Sequence, residues 1–243
     1  MRLIGIIRAV APTVTFVPGF MQRGEAWQPV AGGLAERYRV RCLDFTSWTF
    51  EERVAELATG GALVGYSMGG RIALHAALRE PDGFRALALV GVSAGIENPQ
   101  ERRRSDEALA IWIEQHSIEE VVERWESQPV FAGQSAELRA RQRPGRLSHD
   151  PRKLAQLLRS AGQGATPPVW DRLHDLSCPV LLIAGERDER YVAAAHRMAS
   201  HIPDARVRIV PGAGHAPQLE EPLLVAELLD EHLADSGFVD REP

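Results

Sequence analysis

Cysteine is scarce in this chain, with only Cys42 and Cys178 among 243 residues. The two lie far apart and lack the spacing of paired metal ligands. Their scarcity excludes a disulfide-stapled fold, and we predict no metal site. Two isolated thiols are typical of a protein that works in a reducing cytosol.

Basic residues are not in excess either, because the formal net charge is −5. Overall charge therefore favours neither nucleic acid nor an anionic membrane as a partner. No apolar run approaches the length of a bilayer span, and residues 1–8 are too short and interrupted for a signal peptide. We expect a soluble cytoplasmic protein, a monomer or weak homodimer, with no nucleic-acid or membrane partner.

What remains is ordinary globular composition, with 44% hydrophobic and 25% charged residues. This length suits one domain with an insertion. Short apolar segments alternate with helical patterns, which predicts a mostly parallel sheet covered on both faces. The predicted strands are 3–10, 14–17, 38–44, 62–64, 86–92, 180–185 and 206–210. The predicted helices of this part are 25–37, 50–58, 72–78, 190–201 and 219–233.

The alternation stops between residues 95 and 175, where only helical patterns occur. The predicted helices are 105–116, 117–127, 135–146 and 151–160, and serine begins the first three as an N-cap would. A helical block inserted between strands predicts a cap over the carboxyl edge of the sheet, where α/β proteins bind ligands. We expect a core of residues 1–94 and 176–243 and a cap of residues 95–175.

A G-x-S-x-G sequence centred on Ser67 follows the predicted strand 62–64 and leads into the predicted helix 72–78. A serine between glycines at such a corner is typical of a nucleophile elbow. Small neighbours let the strained turn close, and the following helix directs its amide groups at the hydroxyl. Ser67 is therefore the predicted nucleophile.

A base and an acid follow two later strands. Asp188 comes after strand 180–185, and His215 comes after strand 206–210. The order serine, aspartate, histidine is that of α/β-hydrolases, and the carboxyl ends of parallel strands share one edge. We predict that Ser67, Asp188 and His215 converge, with Glu186 as the alternative acid.

Two further features are predicted around Ser67. The backbone amides of Met68 and Phe20 are the expected oxyanion-hole donors. Arg71 lies one helical turn after Ser67, and helical side chains lean toward the N-terminus, so its guanidinium can reach a substrate carboxylate. The alternative for Arg71 is a salt bridge to a cap residue. The predicted cap holds two arginine clusters, 102–104 and 139–146. To bind an anionic substrate, only one arginine of each cluster needs to face the active site.

The elbow, Asp188 and His215 together resemble the α/β-hydrolase superfamily. The cap segments 97–106 and 125–131, and the elbow segment 65–71 with its arginine, resemble the synthases of 2-succinyl-6-hydroxy-2,4-cyclohexadiene-1-carboxylate (SHCHC) in menaquinone biosynthesis. The chain departs from that family at Pro18-Gly19, where His-Gly is usual, and in a shortened loop that begins at Asp44.

The resemblance implies a lyase on a hydrolase scaffold, in which the serine removes a proton, pyruvate leaves and no cofactor is used. It implies that Arg71, Arg102 and Arg146 bind the carboxylates of a polycarboxylate substrate. It also implies that Tyr66, Trp125 and Phe131 line the pocket. The alternative enzyme is a carboxylesterase or a carbon–carbon bond hydrolase with the same triad. A non-catalytic binding protein on this scaffold is the third possibility.

Overall fold

The computed structural model describes residues 11–238. Its described part contains one six-stranded sheet in the order β2-β1-β3-β4-β5-β6, with every neighbouring pair parallel. The strands are β1 Thr13–Val17, β2 Arg39–Cys42, β3 Ala62–Tyr66, β4 Ala86–Val90, β5 Val180–Gly185 and β6 Ala205–Val210. The predicted parallel α/β architecture is confirmed, while the predicted strand 3–10 lies outside the described residues.

Burial follows strand position. Every residue of β3, β4 and β5 is buried, whereas the edge strands β2 and β6 alternate between exposed and partly buried residues up to the buried Val210 that ends β6. Central parallel strands are covered on both faces and so become continuous apolar runs. Among the described residues, six helices lie outside the segment between β4 and β5. They are α1 Gln28–Gly32, α2 Phe50–Ala55, α3 Met68–Arg79, α8 Glu189–Ala199, α9 Pro217–Glu220 and α10 Pro222–Asp235.

Between β4 and β5 the chain forms four helices and no strand. They are α4 Pro99–Glu114, α5 Ile118–Glu126, α6 Ala136–Leu147 and α7 Pro151–Ala161. Short 3-10 helices occur at Gly24–Trp27, Pro81–Gly83, Pro129–Phe131 and Trp170–Asp175. No helix in the described ranges is long and apolar enough to cross a membrane. The exact division into core and cap stays a prediction.

Three predicted helices are shorter or broken, and one of them, the predicted helix 50–58, ends at Ala55. The predicted helix 25–37 is wrong beyond Gly32, because Gly33 ends α1 and the chain turns there. The predicted helix 219–233 is divided at Glu221, which has the non-helical dihedral angles φ −132° and ψ 61°. Pro222 disfavours the α region for the residue before it, so the break lies there.

The capping serines behave differently from one another. Ser117 and Ser135 cap α5 and α6 as predicted, each accepting a hydrogen bond from a backbone amide of the first turn. Ser105 is not a cap, because it lies inside α4. That helix begins earlier, where Asn98 accepts from the Glu101 amide and Pro99 takes the first helical position.

Candidate active site

Ser67 occupies the sharp corner between β3 and α3. It has a positive φ of 50° with ψ −112°, a region that residues with a Cβ rarely adopt. Its amide donates to the Val90 carbonyl at 2.9 Å, and its own carbonyl accepts from the Arg71 amide at 3.1 Å. These bonds hold a strained serine at the carboxyl end of a buried strand, as in a nucleophile elbow.

Glycine is required just after Ser67 because other parts of the chain pass very close. A Cβ on Gly69 would lie 2.3 Å from the carbonyl oxygen of Pro18. A Cβ on Gly70 would lie 2.2 Å from the Cγ2 atom of Val92. The small residues of the motif therefore allow the chain after β1 and after β4 to pack directly against the first turn of α3.

Two loops at the same sheet edge bring His215 and Asp188 to Ser67. The Nε2 atom of His215 lies 3.3 Å from Ser67 Oγ, and its Nδ1 atom lies 2.6 Å from Asp188 Oδ2. Asp188 stands at the N-cap of α8 but accepts no capping hydrogen bond through its side chain. Its carboxylate is therefore left for the imidazole, and the three predicted triad residues form one hydrogen-bonded series.

The alternative acid, Glu186, does not contact the imidazole. It accepts a hydrogen bond from the Gly212 amide at 2.8 Å. Glu220, which the sequence analysis missed, accepts from the Gly214 amide at 2.7 Å and the Ala216 amide at 3.3 Å. The two carboxylates therefore brace the backbone of the loop that carries His215.

Aromatic rings enclose the imidazole. Tyr66, Phe131 and Tyr191 have ring centroids 5.4, 6.4 and 4.6 Å from that of His215. Trp125 packs at 5.3 Å from Phe131 and also from Phe20. The three aromatic residues predicted for the pocket thus share one wall, to which the structure adds Tyr191.

The loop after β1 contains the predicted oxyanion residue Phe20. A tight turn holds it, in which the Gly19 amide donates to Gln22 Oε1 at 3.2 Å and the Gln22 amide donates to the Gly19 carbonyl at 3.3 Å. Phe20 and Met68, the first residue of α3, line one cavity with Ser67. The loop therefore still forms a hydrogen-bonded turn beside Ser67, although it has Pro18-Gly19 in place of the usual His-Gly.

Arg71 is almost entirely buried, with 7% of its surface exposed. Its Nη1 atom donates to the hydroxyl of Thr166, in the chain after α7, at 2.7 Å. Within residues 11–238 no carboxylate forms an ion pair with it, so the alternative of a salt bridge to the cap is wrong. Burial lowers the pKa of Arg71 to about 10, which leaves the guanidinium protonated at neutral pH.

The other two predicted arginines have carboxylate partners. Arg102 donates through Nε to Asp106 Oδ1 at 2.7 Å and is partly exposed. Arg146 is buried and donates to Glu126 Oε1 at 2.9 Å, while Arg143 donates to the other oxygen of the same carboxylate at 2.7 Å. Glu126 thus accepts from two guanidinium groups, and Arg143 also forms an ion pair with Glu123 at 3.7 Å, so the charges of this cluster balance.

A cavity of about 310 Å³ joins these groups. Of the residues predicted for the site, it is lined by Phe20, Tyr66, Ser67, Met68, Arg71, Arg102, Trp125, Phe131, Arg146 and His215. Asp188 lies behind His215, outside the lining. The shortened loop that begins at Asp44 contributes no residue to the lining of this cavity.

The cavity also contains groups that the sequence analysis did not single out. They are Gln22, Leu109, Gln128, Val130, Leu158, Gly162, Gln163, Arg190, Tyr191 and Leu219. Gln128 and Val130 lie in the cap segment 125–131, and Arg190 and Tyr191 follow Asp188 in the first turn of α8. Gln163 belongs to no motif, and only the folded chain brings it to the site.

Comparisons with known proteins agree with this arrangement. A model of the alpha/beta hydrolase family matches residues 16–228. A Salmonella paratyphi C (strain RKS4594) protein named 2-succinyl-6-hydroxy-2,4-cyclohexadiene-1-carboxylate synthase is 30% identical over 238 residues, covering 90% of this chain and 92% of that one. A Bacillus subtilis (strain 168) protein provisionally given the same name is 37% identical over 177 residues, or 70% of this chain and 65% of that protein.

The solved structure of MenH from S. aureus is similar over nearly the whole fold. It has a TM-score of 0.87 and 29% sequence identity, and the match covers 94% of this chain and 95% of that one. The chain therefore belongs to the alpha/beta hydrolase family and is an enzyme similar to 2-succinyl-6-hydroxy-2,4-cyclohexadiene-1-carboxylate synthases.

Proposed function

We propose that this enzyme is a lyase of menaquinone biosynthesis. It eliminates pyruvate from 2-succinyl-5-enolpyruvyl-6-hydroxy-3-cyclohexene-1-carboxylate and releases SHCHC. The observation that carries the proposal is the cavity in which Ser67 and His215 face the guanidinium groups of Arg71, Arg102 and Arg146. A substrate with three carboxylates matches such a site, and the named relatives carry the same activity in their names.

The names of substrate and product define the bond changes. The C3=C4 double bond of the cyclohexene becomes the C2=C3 and C4=C5 double bonds of the diene. The C2–H and C5–O bonds therefore break, the electron pair shifts from C2 toward C5, and the enolpyruvyl group leaves as the enolate of pyruvate. Protonation of that enolate gives pyruvate, so the reaction balances without an oxidant, water or cofactor.

Ser67 is the proposed base. The carboxylate of Asp188 accepts the Nδ1 hydrogen of His215, which leaves Nε2 as an acceptor for the Ser67 hydroxyl hydrogen. When His215 takes that hydrogen, the serine oxygen can remove the C2 proton, and Asp188 stabilises the imidazolium that forms. The proton on His215 is then available to the departing pyruvate enolate.

The proton at C2 is acidified by the neighbouring succinyl ketone. As the C2–H bond breaks, negative charge develops on the ketone oxygen. The amides of Met68 and Phe20 are the proposed donors to this oxygen, because one follows Ser67 and the other lies in the loop that lines the cavity. The N-terminal end of α3 adds a positive dipole at the same point.

The three arginines are proposed to bind carboxylates of the substrate. Arg71 supports this assignment most strongly, because a buried cation beside a neutral hydroxyl is stabilised by an anionic ligand. Arg146 is buried, lines the same cavity and is held in place by Glu126, which supports it as a further carboxylate-binding group.

The proposal extends to the setting of the reaction. Residues 95–175 form the cap, residues 1–94 and 176–243 form the core, and the enzyme works in the cytoplasm as a monomer or weak homodimer. Free thiols at Cys42 and Cys178 support a reducing compartment. Elimination by the triad requires no cofactor.

A coupled assay tests the function. Purified protein is mixed with the enolpyruvyl substrate, pyruvate is measured with lactate dehydrogenase and NADH, and a p-nitrophenyl ester is offered in parallel. We expect Ser67-dependent pyruvate release, no acyl-enzyme burst and little ester cleavage. Rapid ester cleavage with a burst and no pyruvate would instead establish the carboxylesterase alternative.

A further inference from the structure

A hydrogen-bonded series at the edge of the catalytic cavity fixes the direction of one side-chain amide. Arg102 donates through Nη1 to the Oε1 atom of Gln163 at 3.2 Å, and Gln163 donates through Nε2 to the Tyr191 hydroxyl oxygen at 2.5 Å. A guanidinium has only donors. The atom of Gln163 that faces Arg102 is therefore its carbonyl oxygen, and the atom that faces Tyr191 is its amide nitrogen.

This direction determines what the hydroxyl of Tyr191 can do. Because its oxygen accepts from Gln163, its own hydrogen is left to donate elsewhere. In the described part of the chain no acceptor receives that hydrogen. Tyr191 is buried and lines the cavity together with Ser67 and His215. A buried donor without an acceptor costs free energy unless a ligand supplies the acceptor.

Arg71 and Arg102 line the same cavity as this hydroxyl. Burial lowers the pKa of Arg71 to about 10, the charge of Arg102 also acts to lower it, and Asp106 acts to raise it. Arg71, Arg102 and Tyr191 all line the cavity, and each brings a donor to it. Because Arg71 is buried and, among the described residues, has no carboxylate in direct contact, this group of donors is suited to a carboxylate ligand.

We propose that the Tyr191 hydroxyl is a further substrate-binding group, which donates a hydrogen bond to the carboxylate held by Arg71 and Arg102. Gln163 is the positioning residue that turns the hydroxyl hydrogen toward this carboxylate. The inference rests on the proposed function for the identity of the substrate. It does not depend on the elimination itself, because carboxylate binding can be measured separately.

Tyr191→Phe isolates the hydroxyl, since it keeps the ring that packs 4.6 Å from His215. We expect the KM for pyruvate release to rise about tenfold or more, as for the loss of a hydrogen bond to a charged group, with kcat little changed. The matched control is Tyr38→Phe, whose ring stacks on Phe238 outside the cavity. It should leave both constants unchanged.

Gln163→Glu tests the direction of the hydrogen bond. A carboxylate at this position accepts from Arg102 and from the Tyr191 hydroxyl alike, so it withdraws the hydrogen from the substrate. We expect KM to rise at least as much as in Tyr191→Phe. The double variant should be no worse than Gln163→Glu alone, because the hydroxyl is already withdrawn. Additive losses in the double variant would overturn the positioning role.

Calorimetric titration with succinate separates this inference from the proposed function. Absence of pyruvate release would refute the proposed function alone. For the subsite, the wild-type protein should bind succinate, and Tyr191→Phe should weaken binding about tenfold or more. Equal affinity in the two proteins, or no binding of succinate by the wild type, would overturn the role of Tyr191.

Discussion

The Nε2 atom of His215 lies 3.3 Å from Ser67 Oγ, although 148 positions separate the two residues in the chain. Their proximity follows from the sheet. Ser67 follows β3, Asp188 follows β5 and His215 follows β6, and Gly185 pairs with Val210 at the ends of the last two strands. Parallel strands direct all three loops to one edge of the sheet, so the arrangement of the strands brings the three triad side chains together.

Asp188→Asn should remove most of the activity without unfolding the protein. The amide retains the size of the carboxylate but cannot stabilise an imidazolium, so kcat for pyruvate release should fall roughly 10³- to 10⁴-fold at pH 7. Glu186→Gln is the matched control, because Glu186 contacts the Gly212 amide and not His215. Similar losses in the two variants would refute Asp188 as the orienting acid.

Arg71→Met should separate binding from stability. The substitution removes a buried cation that has no carboxylate partner, so the free energy of unfolding should stay unchanged or rise by up to about 2 kcal/mol. The kcat/KM for the tricarboxylate should fall at least about thirtyfold, since loss of a buried charge contact costs about 2 kcal/mol or more. Urea unfolding and the pyruvate assay measure the two effects.

Arg146→Met is the contrasting variant. It leaves Glu126 with only Arg143 as a hydrogen-bonding partner, so the free energy of unfolding should fall by roughly 1–3 kcal/mol. We therefore expect the unfolding free energy to stay unchanged or rise in Arg71→Met and to fall in Arg146→Met. A protein destabilised by Arg71→Met as much as by Arg146→Met would contradict the unpaired state of Arg71.

Gly69→Ala should damage the elbow through backbone contact alone. The added methyl group would lie 2.3 Å from the Pro18 carbonyl oxygen, which displaces the loop that carries Phe20. We expect a loss of roughly 2–4 kcal/mol of stability and a lower kcat. Gly32→Ala, where the methyl group meets no atom within 4 Å, should change stability by less than about 1 kcal/mol.

The order of elements and the triad could be predicted from the sequence because both depend on local patterns. Apolar strands, the glycines around Ser67 and the loop positions of Asp188 and His215 are all visible in single segments. The start of α4 was missed because Asn98 and Pro99 begin the helix before its apolar periodicity becomes regular.

Contacts between distant segments could not be predicted in this way. Arg71 and its partner Thr166 are 95 positions apart, and Gln163 and Tyr191 are 28 positions apart. Thr166 and Gln163 belong to no motif, and uncharged polar residues give no charge pattern to follow. Their pairing is decided by how the helices between β4 and β5 pack over the sheet.

His232 should make the protein sensitive to mild acid. Burial lowers its pKa from 6.5 to about 4, and the neutral ring contacts the Leu87 carbonyl at 3.2 Å. Its contribution to stability is complete above pH 6.5. Between pH 6.5 and 4 the unfolded chain binds a proton that the folded chain excludes, so the free energy of unfolding falls by up to about 1.4 kcal/mol per pH unit.

His232→Gln removes this titration while keeping a donor for the carbonyl. Urea unfolding between pH 7 and pH 4.5 gives the slope of the unfolding free energy against pH. This slope should be smaller in the variant than in the wild type, by an amount that corresponds to the uptake of nearly one proton on unfolding. Parallel curves for the two proteins would show that His232 does not titrate on unfolding.

The central claim is that Ser67 acts as a base at C2 of the ring and not as a nucleophile. The most direct measurement uses substrate deuterated at C2, with pyruvate release followed in a single turnover and the ring product weighed by mass spectrometry. We predict that release is slower than with unlabelled substrate, that the product has lost its deuterium, and that Ser67→Ala releases no pyruvate. Pyruvate formed while the ring keeps its deuterium, or formed equally by Ser67→Ala, would contradict the account.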